Sequence, residues 1–130
     1  MITIIEKEKF YHDGRGPELI KINYNDSGVV INSIDYRNPD SESLQNISFV
    51  KSQAFMITPE EEYDYNSVSE YLKNDKGALF NLNKSEWYKS FTNRHSHNCN
   101  HYKMVFYDEI IDLLCEDVLI QDSLLKRNKE

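Results

Sequence analysis

The 130-residue sequence has little of what most functional signatures are built from: four glycines, three prolines and two cysteines. No glycine-rich loop able to cradle a phosphate is present, because Gly14-Arg15-Gly16 is too short and runs straight into Pro17. The serine elbow of the hydrolases is missing as well. Cys99 and Cys115 are too few for a disulfide framework. The opening MITIIEKEKF sets acids and bases directly behind a short apolar patch, so it does not read as a signal peptide. Reduced thiols in a cytoplasmic protein are the expectation. Apolar runs extend for only a few residues, far short of the roughly 20 that a membrane helix requires, so no membrane partner is expected.

Base is the other shortage, and it is local. From Asp108 to Asp122 the run DEIIDLLCEDVLIQD carries six acids and no Lys or Arg, and Glu60 to Asp75 carries six more against Lys73 alone. The two runs hold twelve of the 22 acids within a formal net charge of −7. A field of this shape repels nucleic acid and steers a basic partner. The bases are scattered among the strand-like segments, without the patch that nucleic-acid binding needs.

What is present is a chain rich in aromatics, with nine Tyr and six Phe, and long enough for one domain with its own core. Residues 2–11, 19–24, 29–34, 47–57 and 101–107 have strand composition, and Asn25-Asp26-Ser27-Gly28 reads as a hairpin turn. Residues 37–46 hold Pro39 and read as a loop. Thr58-Pro59 followed by Glu60 and Glu61 has the form of a helix N-terminus. Short helices are expected at 67–73 and from Ser85, where Trp87, Tyr88 and Phe91 share a side as core residues with Lys84 and Lys89 outward. Residues 110–120 fit both periods. As a strand, Asp112 and Glu116 share a face, and as a helix they do so again, so an acidic surface there is expected in either case. The fold class that follows is α+β, a mostly antiparallel sheet of five or six strands with two short helices on one face.

Chemistry concentrates at His95, His97, Cys99 and His101, four metal-competent side chains at every second residue. An extended strand would turn all four to one side, and a His-x-His pair can grip zinc. The favoured reading of the same residues is a polar loop of solvated or capping histidines. Cys99 beside a histidine also has the composition of a thiol–imidazole pair, without any characteristic motif around it. Cys115, inside an apolar run, reads as a small buried hydrophobe. The carboxylate pairs read as solvated faces or helix starts rather than acid–base machinery.

Trp87 to Asp117, WYKSF then HYKMVFYDEIIDLLCED, resembles a group of small bacterial proteins. These carry a Trp-x-x-Ser-Phe helix, a strand beginning His-Tyr, and a second strand of aliphatics and acids. Some are similar to the immunity proteins of contact-dependent growth inhibition and related polymorphic toxin systems. The resemblance covers about a quarter of the chain, and the first eighty residues have no part in it. It implies a hairpin turn at Asp108-Glu109, which favours the strand for 110–120. It also implies a non-catalytic, cofactor-free antidote binding one cognate toxin domain. A nuclease toxin would present the basic surface that an acidic inhibitor matches. The expected contacts are Asp108, Glu109, Asp112 and Glu116, with Glu60, Glu61, Glu62, Tyr63, Asp64 and Tyr65 as a second patch. Tyr63 and Tyr65 are interface anchors or core tyrosines on equal grounds. The alternatives are a metal-binding enzyme or sensor built on His95, His97, Cys99 and His101, and an acidic DNA mimic that inhibits a DNA-binding protein.

Overall fold

Alternating apolar and polar residues dominate the chain, and the computed structural model turns that alternation into two antiparallel sheets. It describes residues 3–5, 18–35, 42–59, 79–91, 96–106 and 108–125. The strands are β1 (Thr3–Ile4), β2 (Glu18–Asn25), β3 (Gly28–Asp35), β4 (Glu42–Val50), β5 (Ala54–Pro59), β6 (Leu79–Asn81), β7 (Asn100–Val105), β8 (Glu109–Cys115) and β9 (Asp117–Leu125), with one short helix, α1 (Glu86–Lys89). Sheet I has the order β1-β6-β7-β8-β5 and sheet II the order β2-β3-β4-β9. The expected single sheet is therefore two, and among the described residues helix is confined to the four residues of α1. The proposed helix at 67–73 lies outside the described residues.

The core lies between the sheets. Val29, Ile31, Ile47 and Phe49 face it from sheet II, and Leu79, Tyr102, Met104, Ile111, Leu113 and Cys115 from sheet I. Each large aliphatic or aromatic side chain buried there contributes roughly 1.5–3 kcal/mol over leaving it in water. The opposite face of sheet I is buried as well: Phe80, His101, Lys103, Val105, Ile110, Asp112 and Leu114 are all at most 7 % exposed. A strand buried on both faces reads as a near-continuous apolar run. That is why IIDLLC fits helix and strand periodicities equally.

Two chain crossings hinge the sheets together. β4 leaves sheet II at Lys51–Gln53 and re-enters sheet I as β5, while β8 leaves sheet I at Glu116 and continues in sheet II as β9. The crossings lie side by side, since the Glu116 amide donates to the Val50 carbonyl at 3.0 Å and Lys51 Nζ lies 4.0 Å from the Glu116 carboxylate. Lys51 turns the corner with φ of 54°, and Ser52 Oγ donates to the Phe49 carbonyl at 2.6 Å while accepting from the Val29 amide at 3.3 Å.

These crossings correct several expectations. Residues 47–57 are not one strand but parts of two, in different sheets. Glu42–Asn46 belong to β4 rather than a loop, pairing with β3 and β9. Thr58 and Pro59 end β5 opposite Ile110 and Glu109 instead of starting a helix, because pairing with β8 outweighs a local capping preference. The hairpin at Asp108-Glu109 is present: Phe106 donates its amide to the Glu109 carbonyl at 2.8 Å, joining β7 to β8. Residues 110–120 are strand, broken at Glu116.

Candidate functional site

Two places bring chemistry together, and the first is a buried polar chain on the outer face of sheet I. His101 and Lys103 on β7 and Asp112 on β8 point to that face because Lys103 pairs with Asp112 and His101 with Leu114 across the ladder. His101 Nε2 lies 2.6 Å from Asp112 Oδ1, and Lys103 Nζ lies 3.4 Å from the same oxygen. His101 Nδ1 lies 2.7 Å from Ser85 Oγ, and the Trp87 ring covers the imidazole with centroids 4.7 Å apart. Ser85 is the N-cap of α1, its hydroxyl accepting from the Tyr88 amide at 3.1 Å. Trp87 packs edge-on against Phe91 at 5.2 Å. The expected sidedness of this segment holds only in part: Trp87, Tyr88 and Phe91 are half-buried. Lys84 is not simply outward, since it donates to the carbonyls of His97 and Cys99 and lies over the Tyr88 ring.

Ser85–His101–Asp112 has the connectivity of an acyl-transfer relay. Its setting suits a strut better. The serine hydroxyl is engaged in capping, the imidazole is 5 % exposed beneath an indole, and the carboxylate is shared with an ammonium group. A buried ion pair with every partner in place fixes register between neighbouring strands.

This arrangement settles where the histidine and cysteine candidates stand. The segment is a turn up to Cys99 and becomes strand only at Asn100, so the expected alternation fails. His97 is exposed, Cys99 is buried, and His101 has both ring nitrogens engaged; His95 lies outside the described residues. Among the described residues, no three His, Cys, Asp or Glu side chains gather as a metal site. Both cysteines are buried, and neither is in a disulfide. Burial pushes the Cys99 thiol up, reinforced by Glu116 and offset by Lys84, and burial with the neighbouring Cys99 pushes Cys115 far up. Neither is a ready thiolate.

The acidic run divides in the same way. Asp112 is 3 % exposed and tied to His101 and Lys103. The expectation that it shares an acidic surface with Glu116 is corrected: Asp112 faces a buried layer, and the chain changes sheets at Glu116. Glu116 itself is half-buried beside Lys51. Asp108 is exposed and Glu109 half-buried. Glu60, Glu61, Glu62, Tyr63, Asp64 and Tyr65 lie outside the described residues.

The second place was not legible from residue types alone. β2 and β5, each an end strand of its sheet among the described residues, come together on one side of the sandwich, where the Tyr24 and Phe55 rings meet at 5.9 Å. Tyr24 and Ile22 on β2 and Phe55 and Ile57 on β5 share the core-facing side of their strands by register. The core is left open along that seam: Tyr24 is 67 % exposed, Ile57 44 % and Phe55 39 %, while Met56, opposite Asp112, is exposed on the other face of β5. At the far end of the seam, Pro59 pairs with Glu109. The Glu109 carboxyl is held above its ordinary value first by burial and then by the charges of Asp108 and Glu18. The charge of Glu18, the first residue of β2, is thus felt at the turn of the β7–β8 hairpin. Glu18 was not singled out in the sequence; its signal was a lone acid at the mouth of an edge strand.

The raised Glu109 pKa has a measurable consequence. Folded Glu109 keeps its proton at pH values where the unfolded chain has lost it, so its contribution to stability falls as pH rises from the ordinary carboxylate range through its raised value. Glu109→Gln is therefore expected to raise the melting temperature at pH 7, with the advantage disappearing near pH 4. Thermal melts at the two pH values check this; an equal shift at both would assign the gain to something other than charge.

Comparison with protein families, curated proteins and solved structures finds no match to this chain. No helix among the described residues is long and apolar enough to cross a membrane.

Proposed function

We propose that the protein is a non-catalytic binder that neutralises a basic protein partner, in the manner of an immunity protein against a nuclease-type bacterial toxin. The observation that carries this reading is the uncovered seam between β2 and β5, closed at one end by Glu18, Asp108 and Glu109. Exposed aromatic and aliphatic side chains supply the apolar centre of an interface, and carboxylates at its border supply speed of encounter and choice of partner. Like charges held close together lower stability, and natural proteins retain such groups where function uses them. The contact set narrows accordingly. Asp108 and Glu109 stay in it, Glu18 joins them, Asp112 leaves it, and Glu116 is secondary because Lys51 stands beside it. The second acidic run follows Pro59 directly in the chain.

The reading is tested by co-expression with a toxin encoded beside its gene. Protection of the cells and recovery of a one-to-one complex are expected, with protection reduced at least tenfold by Glu18→Lys combined with Asp108→Lys. Absence of both complex and protection ends the proposal.

A further inference from the structure

Edge strands are normally defended, and the two that flank the seam differ in this respect. β2 carries Glu18 and Lys21 and an irregularity between Leu19 and Lys21, the usual devices against a stray strand. β5, AFMITP, has no charged residue, no bulge in its register with β8, and only a terminal proline. It is the end strand of sheet I among the described residues, and Phe55, Met56 and Ile57 are all exposed. A straight, uncharged, apolar edge of this kind is a template for another strand.

We infer that β5 is the docking strand of the interface: a basic, β-forming segment of the partner adds to its free edge and closes the seam. The inference rests on the binding reading above and goes further by naming the mode and the pattern of the segment. Six residues of β5 span roughly 20 Å at 3.3 Å per residue, so an added strand of that length would turn three side chains inward over Tyr24, Phe55 and Ile57. Those three are apolar. β5 runs from the Tyr24–Phe55 contact towards Glu18, Asp108 and Glu109, so an antiparallel segment meets the carboxylates with its N-terminal residues, and these are Lys or Arg. A second copy of the chain is the poorer occupant, because each copy brings a net charge of −7.

The probe is a fluorescein-labelled peptide, Lys-Lys-Val-Thr-Val-Thr-Val, compared with its Glu-Glu counterpart and with a version carrying proline at the central valine. Anisotropy titration at low salt is expected to show binding of the first, at least tenfold weaker binding of the other two, and a marked loss at 0.5 M salt. Ile57→Lys should weaken the first peptide at least tenfold, while Glu86→Gln, an equal change in net charge on α1, should leave it unaltered. Hydrogen exchange on the unaltered protein supplies a readout independent of any variant: amides of 54–58 should slow on binding, and those of 18–25 should not. Equal binding of the Lys-Lys and Glu-Glu peptides, protection confined to β2, or dimerisation abolished by Ile57→Lys each overturns the docking strand. A toxin complex indifferent to Ile57→Lys would also overturn it while leaving the binding reading intact.

Discussion

Gly28→Ala is expected to destabilise the protein by about 3–5 kcal/mol, a large part of the stability of a domain this size. Gly28 has φ of +130°, and a Cβ there would lie 2.2 Å from the Phe49 carbonyl oxygen and 3.2 Å from the Lys51 amide nitrogen. Both obstacles are backbone, so no side chain can swing away to make room. Moving the β2–β3 turn instead would strain the Lys51 amide bond to the Ser27 carbonyl, 3.1 Å, and the Val29 amide bond to Ser52 Oγ, 3.3 Å. Those bonds anchor the crossing from sheet II to sheet I, so local relief would propagate to the start of β5. Urea unfolding followed by the fluorescence of Trp87, the single tryptophan, measures the loss. A change below about 1 kcal/mol would mean that the turn relaxes without disturbing the crossing.

How much of this was legible in the sequence depends on whether the signal was local. The hairpin at Asn25–Gly28 was readable because Asn25 closes its own turn, Oδ1 accepting from the Ser27 amide at 2.8 Å, and a glycine follows where φ must be positive. The α1 start was readable because Ser85 caps it through its own side chain. What escaped was the division into two sheets. Val50–Ala54 and Cys115–Asp117 look like interruptions of minor consequence, yet each carries the chain from one layer to the other, and only the partner strands reveal it. Thr58-Pro59 misled for the same reason, since its local form is that of a helix start and its pairing with β8 is long-range. Of the candidate site, Asp108 and Glu109 were readable as acids at a turn. The seam was not, because it arises from two edge strands 30 residues apart that happen to end on the same side. The buried acid did leave a trace: Asp112 interrupts IIDLLC, an aliphatic run too continuous for a surface strand, and the alternating His101 and Lys103 on the preceding strand were its natural partners.

That trace leads to the other large effect. Asp112→Ala is expected to cost about 3–5 kcal/mol, because it removes the carboxylate from beneath both His101 and Lys103 while leaving those groups buried. The loss reflects the burial of His101 and Lys103 without this carboxylate more than the worth of the pair, and a set of substitutions separates the two. Lys103→Met on its own should also destabilise, by leaving Asp112 with the imidazole alone. Asp112→Leu combined with Lys103→Met and His101→Phe should recover most of the stability, since apolar side chains of similar volume would fill a layer already lined by Phe80, Val105, Ile110 and Leu114. Guanidinium unfolding of the single, double and triple variants gives the coupling energies directly. Recovery in the triple variant, with unchanged binding of the Lys-Lys peptide, would identify the Ser85–His101–Asp112–Lys103 chain as a strut that sets strand register. If instead Asp112→Ala left stability within about 0.5 kcal/mol of the parent, the carboxylate would not be the keystone of the layer, and its alignment with His101 and Ser85 would have to be explained by proton transfer. The strut reading therefore stands or falls on a stability measurement, and because β5 is the direct neighbour of β8, with Met56 opposite Asp112, the peptide titration on the triple variant tells whether the strut also supports the docking edge.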